Sequence, residues 1–224
     1  MSATNAALQP RRRGRPRAAI GVAGETRSDL LLRAAVAQFA QHGFDGAGLR
    51  QIAAEANVDP ALVVHHFGSK LQLWQAAIDH LSAQLVTALG GFSEPARSDE
   101  RLDHVIAQLV DMLCDRPDLA AFILREVVQQ NDRSEYSYDR LVQPIYALVH
   151  PHILAFLAPG SHDADADFLF FALAGAIVSS IAARPFLGRL SAAARDDGQF
   201  RATLKQTMSA QLSARAGRFT GPSS

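Results

Sequence analysis

One cysteine, Cys114, stands in 224 residues. A single thiol excludes an intrachain disulfide framework and a cysteine-built metal site. It falls inside an apolar helical pattern, which suits a buried, inert thiol better than a redox sensor. Net charge is also missing, because 22 basic residues balance 22 acidic ones. That excludes a protein coated in positive charge to hold nucleic acid everywhere. The longest apolar run, Phe168–Ile181, is short and serine-interrupted for a membrane span. The arginines near the N-terminus are not followed by the apolar stretch of a secretory signal. The expectation is a cytoplasmic protein with no membrane partner. No Gly-x-Ser-x-Gly, phosphate-binding glycine loop or metalloprotease helix occurs, so neither an enzyme nor a cofactor is expected. His150-Pro151-His152 and His162-Asp163-x-Asp165-x-Asp167 hold residues that ligate metals. Loop polarity and helix capping explain the second group more simply, and no metal is expected.

What charge there is lies unevenly. Five of the 22 basic residues, Arg11, Arg12, Arg13, Arg15 and Arg17, form a short arm with no acid before Glu25. The chain as a whole is 48% apolar and 20% charged, enough to fold around a substantial core.

The most informative stretch is Leu49–Lys70, LRQIAAEANVDPALVVHHFGSK. Its spacing predicts a helix, a tight turn, a second short helix and a fresh helix start. Ile52 and Ala53, one apolar and one small, let two helices approach closely. Asn57 tolerates the left-handed conformation a reversal needs, and Val58 plugs the turn. Asp59 is a strong N-cap, and Pro60 suits the first helical position, where no N–H is required. Val63 points inward, Phe67 closes the small core, and Gly68 ends the helix. Ser69-Lys70-Leu71-Gln72 reads as a capping box opening the next helix. The arrangement places a short helix where it can enter a DNA major groove, although an ordinary helical hairpin carries the same caps.

Along the whole chain the periodicity is helical, with no convincing strand and no internal repeat. Helices are predicted over Thr26–His42 (capped by Thr26 and Asp29), Leu49–Ala56, Pro60–Phe67 and Leu71–Leu89. A hinge follows at Gly90–Ser98. Beyond it come stripes at Leu102–Leu113 and Leu119–Val127, and a stretch over Tyr138–Leu157 that Pro144 and Pro151 should kink or break. Asp163–Ala183 is apolar nearly all round, which predicts burial on every side. Phe200, Leu204, Met208 and Leu212 mark a last amphipathic helix. The fold class is all-α. Residues 1–24 form a disordered basic arm, 25–89 a helix-turn-helix domain with its connecting helix, and 90–224 a larger helical domain.

Across Thr26–Leu81 the chain resembles the TetR/AcrR family of one-component transcriptional regulators. The matching residues are Gly43-Phe44, Arg50-Gln51-Ile52-Ala53, His66-Phe67 and Ser69-Lys70. Leu124-Arg125-Glu126, the later Pro144 and the apolar helix with Gly175 resemble the CecR branch. Three departures stand out. Ala47-Gly48 replaces the hydroxyl residues that open the family's second helix, leaving only backbone N–H groups for phosphate there. Asn57 replaces the turn glycine. Leu62 and Val64 replace Thr and Tyr on the recognition helix, exchanging hydrogen bonds for apolar contact of the kind that reads a thymine methyl.

The resemblance implies a dimeric, ligand-responsive repressor binding double-stranded DNA at a palindromic operator. Arg50 would reach a guanine edge or a phosphate. Pro60, Ala61, Leu62, Val64 and His65 would form the reading surface. His66 and Lys70 would grip phosphates, with half-buried packing beside Phe67 the alternative for His66. The homodimer would form through the last two helices, at Asp163–Ala183 and Gln199–Ala216. An unknown small-molecule effector would lie among Phe122, Arg125, Gln129, Tyr146 and His150. Structural ion pairing is the competing role for Arg125 and the favoured one for Glu126. Arg13–Arg17, Arg-Gly-Arg-Pro-Arg, resembles the core of an AT-hook, which inserts arginines into a narrow minor groove. A solvated basic tail contributing only counterion release explains the same residues. An effector-independent architectural protein for A·T-rich DNA is therefore the alternative function.

Overall fold

The computed structural model describes residues 26–90, 98–157 and 161–218. All regular structure among them is helical, as the periodicity predicts. The arm carrying Arg11, Arg12, Arg13, Arg15 and Arg17, and residues 91–97 of the expected hinge, lie outside the described residues.

Helix α1 spans Arg27–Gly46 and is capped as expected: the Thr26 hydroxyl accepts from the Asp29 N–H at 3.2 Å, and the Thr26 N–H donates to the Asp29 carboxylate at 2.9 Å. The helix breaks at Gly43, whose φ of +72° and ψ of 176° belong to a region almost closed to other residues. A short turn then delivers the chain to α2 (Leu49–Glu55), α3 (Pro60–Phe67) and α4 (Lys70–Leu89). Phe39, Ile52, Ala53, Val63, Leu73 and Trp74 are each at most 1% exposed and join these four helices in one core.

The remaining helices are α5 (Ser98–Asp115), α6 (Pro117–Val127), the single turn α7 (Ser134–Ser137), α8 (Gln143–Phe156), α9 (Asp163–Ala182), α10 (Arg184–Leu190) and α11 (Asp197–Arg218). Helix α6 packs against both α1 and α9, while α5 packs against α4, α8 and α11. One aromatic series links the two halves of the chain. Phe122 of α6 stacks on Phe39 of α1 at 6.2 Å, Phe39 on Phe44 at 6.0 Å, and Phe44 meets Trp74 of α4 edge-on at 6.3 Å.

Four expectations need correction. The chain does not break at Pro151: α8 runs through it, anchored on either side by buried Val149 and Ile153. The irregularity instead precedes Pro144, as a π-helical turn at Tyr138–Val142. Only half of the capping box at α4 forms, with the Ser69 hydroxyl accepting from the Gln72 N–H at 3.2 Å. Helix α9 is not buried on every side: Phe168 (77% exposed), Phe171, Ala172 and Gly175 form an open apolar stripe at helical spacing. Finally, the helix predicted over Asp163–Ala183 forms as Asp163–Ala182, 20 residues, longer than the apolar run Phe168–Ile181 that by itself is short for a membrane span. It is long and apolar enough to cross a membrane by length and composition, with a third of its apolar window buried in this chain.

Candidate nucleic-acid interface

The turn between α2 and α3 is built as its residues dictate. Asn57 has φ of 54°, the one positive value outside glycine among the described residues. The Val58 N–H bonds back to the Ala53 carbonyl at 2.9 Å. The Asp59 carboxylate caps α3 by accepting from the Ala61 N–H at 2.8 Å. Gly68, at φ of 74°, closes α3 with its N–H on the Val64 carbonyl. Val63 faces the core and Phe67 is half-buried against it.

That burial leaves the opposite side of α3 free. Pro60, Ala61, Val64, His65 and His66 are exposed, whereas Leu62 is half-buried at the margin. His66 lies in the open, edge-on to His65 at 5.6 Å between centroids. Arg50 on α2 is exposed, and no described side chain holds its guanidinium. Lys70 is half-buried: its ammonium donates to the Asp45 carbonyl at 2.9 Å and sits 5.0 Å above the Phe44 ring. It ties α4 to the tail of α1 and keeps further N–H donors in reserve. The Gly48 N–H at the start of α2 is occupied, by the Gln51 side chain at 3.1 Å. Gln51 therefore takes one of the backbone donors that the sequence leaves for phosphate.

The five residues named for an effector divide. Gln129 and Tyr146 line a cavity of about 390 Å³ between α6, α7, α8 and α9. His150 stands behind Tyr146, ring centroids 4.7 Å apart. Phe122 is sealed in the core against Phe39, away from the cavity. Arg125 turns toward the break in α1, where its Nη1 lies 2.9 Å from the position a Gly43 side chain would take and its Nη2 donates to the Gln41 carbonyl at 3.5 Å. Arg133 reinforces the same junction, its guanidinium 4.0 Å above Phe44 and 5.6 Å from Trp74. Gly43→Ala is expected to cost about 1–3 kcal/mol, almost wholly backbone strain, since the Arg125 tip can move aside. Chemical denaturation checks this, and a loss below about 0.5 kcal/mol contradicts it.

The cavity also contains residues that the sequence reading did not assign to it. Glu126 is 3% exposed, and no ion pair among the described residues neutralises it. The expected structural pairing of Glu126 is therefore not formed. Burial pushes its carboxyl above the usual range, against the smaller opposing effects of the Trp74 indole N–H, which lies beyond full hydrogen-bond distance, and of Arg133 and Arg125. A signal was present: Glu126 occupies the next position on the apolar stripe of Leu119 and Phe122. Asp167 accepts from the Tyr146 hydroxyl at 2.6 Å, and that bond holds the phenol pushed up to about 12. Ser137 is 3% exposed, and its hydroxyl has no hydrogen-bond partner.

Glu126 also sets a pH dependence. The folded chain holds the proton more tightly than the unfolded chain, so its contribution is fully present in acid. It is lost as pH rises from the ordinary glutamate range through the raised folded value. Glu126→Gln is expected to raise the melting temperature at neutral pH and to lose that advantage in acid. A pH-independent difference in melting temperature contradicts this.

The profile of the tetR family of bacterial regulatory proteins matches residues 31–77, which span α1 to α4. The HTH-type transcriptional regulatory protein RaaS of Mycobacterium tuberculosis is 29% identical over 142 residues, covering 63% of this chain and 64% of RaaS. The chain thus spans just under two thirds of that relative. The HTH-type transcriptional dual regulator CecR of Shigella flexneri is 27% identical over 180 residues, 72% of this chain and 78% of CecR. Among solved structures, the transcriptional regulator FadR from Bacillus subtilis, in complex with stearoyl-CoA, superposes with a TM-score of 0.67 at 16% identity. That match covers 83% of this chain and 97% of FadR, and at such identity the likeness is one of fold.

Proposed function

From the premise that this chain belongs to the TetR family of bacterial regulatory proteins and is a distant homologue of CecR over 72% of its length, we propose that it is a homodimeric, ligand-responsive repressor. The observation that carries this reading is the exposed outer side of α3, held by the capped turn at Asn57–Pro60. Residues 25–89 act as the DNA-reading head and 90–224 as the ligand-binding and dimerisation body. Pro60, Ala61, Val64 and His65 contact base edges, with Leu62 at the margin. Arg50, His66 and Lys70 fix the register on phosphates. The arm at Arg11–Arg17 follows the adjoining DNA surface. Such a protein works in the cytoplasm.

Two half-sites need two heads about 34 Å apart, hence a second copy. The open stripe of Phe168, Phe171, Ala172 and Gly175 on α9, together with α11, supplies the face for it. A second copy there covers apolar surface that this chain alone leaves in water. The cavity beside α6 receives the effector. Helix α6 also carries Arg125, so a shift there reaches Gly43 and the heads. An effector that binds the two states unequally shifts the balance between them.

Selection of bound duplexes from a random pool tests the reading. The full chain is expected to enrich an inverted repeat. Broad enrichment of A·T-rich duplexes without symmetry would favour the architectural alternative, in which the arm does the binding.

A further inference from the structure

We infer that the cavity beside α6 takes a protonated amine with an apolar tail, a ligand class that builds on the effector-responsive reading above. Two independent observations concern residues that line this cavity. Glu126 is 3% exposed, and its carboxylate forms no ion pair among the described residues. Ser137, on the same cavity wall, is equally buried, and its hydroxyl has no hydrogen-bond partner among the described residues. A buried, unpaired carboxylate and an orphaned hydroxyl each cost free energy unless a partner arrives. An ammonium group supplies both needs, offering N–H donors to the carboxylate and to the Ser137 oxygen.

The surroundings favour the same charge. No arginine, lysine or histidine lines the cavity, while Asp167 is a second acid on its wall. The nearby guanidinium groups are directed elsewhere, Arg125 to the α1 break and Arg133 onto the faces of Phe44 and Trp74. Tyr138, Tyr146, Phe170 and Phe171 add ring faces that attract cations. A fatty acid or a phosphate would meet two carboxylates on the cavity wall, with His150 the one basic side chain paired with either among the described residues, its Nε2 3.8 Å from Asp167. The tail has its own space: a smaller, wholly apolar cavity of about 100 Å³ shares Val127, Val142, Phe170 and Phe171 with the first and continues toward Leu109 and Val178. The larger chamber, about 390 Å³, falls in the range that accommodates small ligands.

Trp74, the chain's one tryptophan, has a buried indole N–H without a hydrogen-bond partner among the described residues and serves as the fluorescent probe. Its fluorescence is read while the full chain is titrated with decylamine, decanol and decanoate, which share a tail and differ in head charge. Decylamine is expected to bind at least about tenfold tighter than decanol, and decanoate more weakly than decanol. Glu126→Gln should bring decylamine down to the decanol affinity, and Ser137→Ala should weaken decylamine several-fold. The wild-type comparison stands even if a variant fails to fold. Decanoate binding as tightly as decylamine, or no response to any of the three, overturns the assignment. Release of a selected duplex is followed in parallel. If another compound releases it while decylamine shows no preference, the amine assignment falls and the regulator stands. If no duplex is ever selected, the regulator reading falls, whatever the tryptophan signal shows.

Discussion

Phe39→Ala is expected to remove about 3–5 kcal/mol of stability, the usual cost of truncating a fully buried aromatic. Phe39 is 0% exposed and stacks on two rings at once, Phe44 in the tail of α1 and Phe122 in α6. The ring therefore fills the seam between helix α1 of the N-terminal half and helix α6 of the C-terminal half. Its loss leaves a cavity that α1 and α6 cannot both collapse into, because each is pinned by other buried residues, Leu31, Leu32 and Val36 on α1 and Leu119 and Ala120 on α6. A domain with about 5–15 kcal/mol in hand loses a large share of it. Urea denaturation measures the change, with Phe39→Leu as the milder companion at about 1–2 kcal/mol. A Phe39→Ala loss below about 1 kcal/mol would show that the aromatic series does not join the halves.

Val64→Glu is expected to abolish sequence-specific DNA binding, by about 100-fold or more, and to leave stability within about 0.5 kcal/mol of wild type. Val64 is 50% exposed on the side of α3 away from the core. Replacing it disturbs no packing that the chain depends on. In the complex the new carboxylate would face the DNA polyanion and forfeit an apolar contact of the type that reads thymine. Val63→Glu is the informative contrast. Val63 is 1% exposed, so that change should unfold the head and destroy binding through instability. Competition binding on a selected duplex, with melting curves on both variants, separates the two effects. Specific binding by Val64→Glu within about threefold of wild type would contradict the assignment.

Local chemistry was legible because it is written in adjacent residues. The Thr26 and Asp59 caps, the left-handed Asn57 and the closing Gly68 each follow from one side chain acting on nearby backbone. The matched family signature also acquires a physical reason: Gly43 precedes Phe44 because the backbone there adopts a glycine conformation and Arg125 presses against it. What could not be read was which neighbour meets which face. Periodicity measures how much apolar surface a helix offers, not what covers it, so α9 looked buried all round although its Phe168 side is open. Arg125 and Phe122 sit one helical turn apart, yet one grips α1 and the other fills the core, and neither lines the cavity. Glu126 was visible as a charge on an apolar stripe. That it forms no ion pair among the described residues depends on where distant segments lie.

The proposed insertion of α3 into the major groove is tested by tethered cleavage. The chain has one cysteine, so Cys114→Ser with His65→Cys gives a single attachment point on the exposed side of α3 for an iron chelate that cuts DNA locally. On a selected duplex the account expects two symmetric clusters of cuts, centred in major grooves about 34 Å apart, one for each protomer. No localised cutting from that position, or cutting of equal strength when the chelate is attached instead at Leu190→Cys on α10, which is 75% exposed, would contradict it.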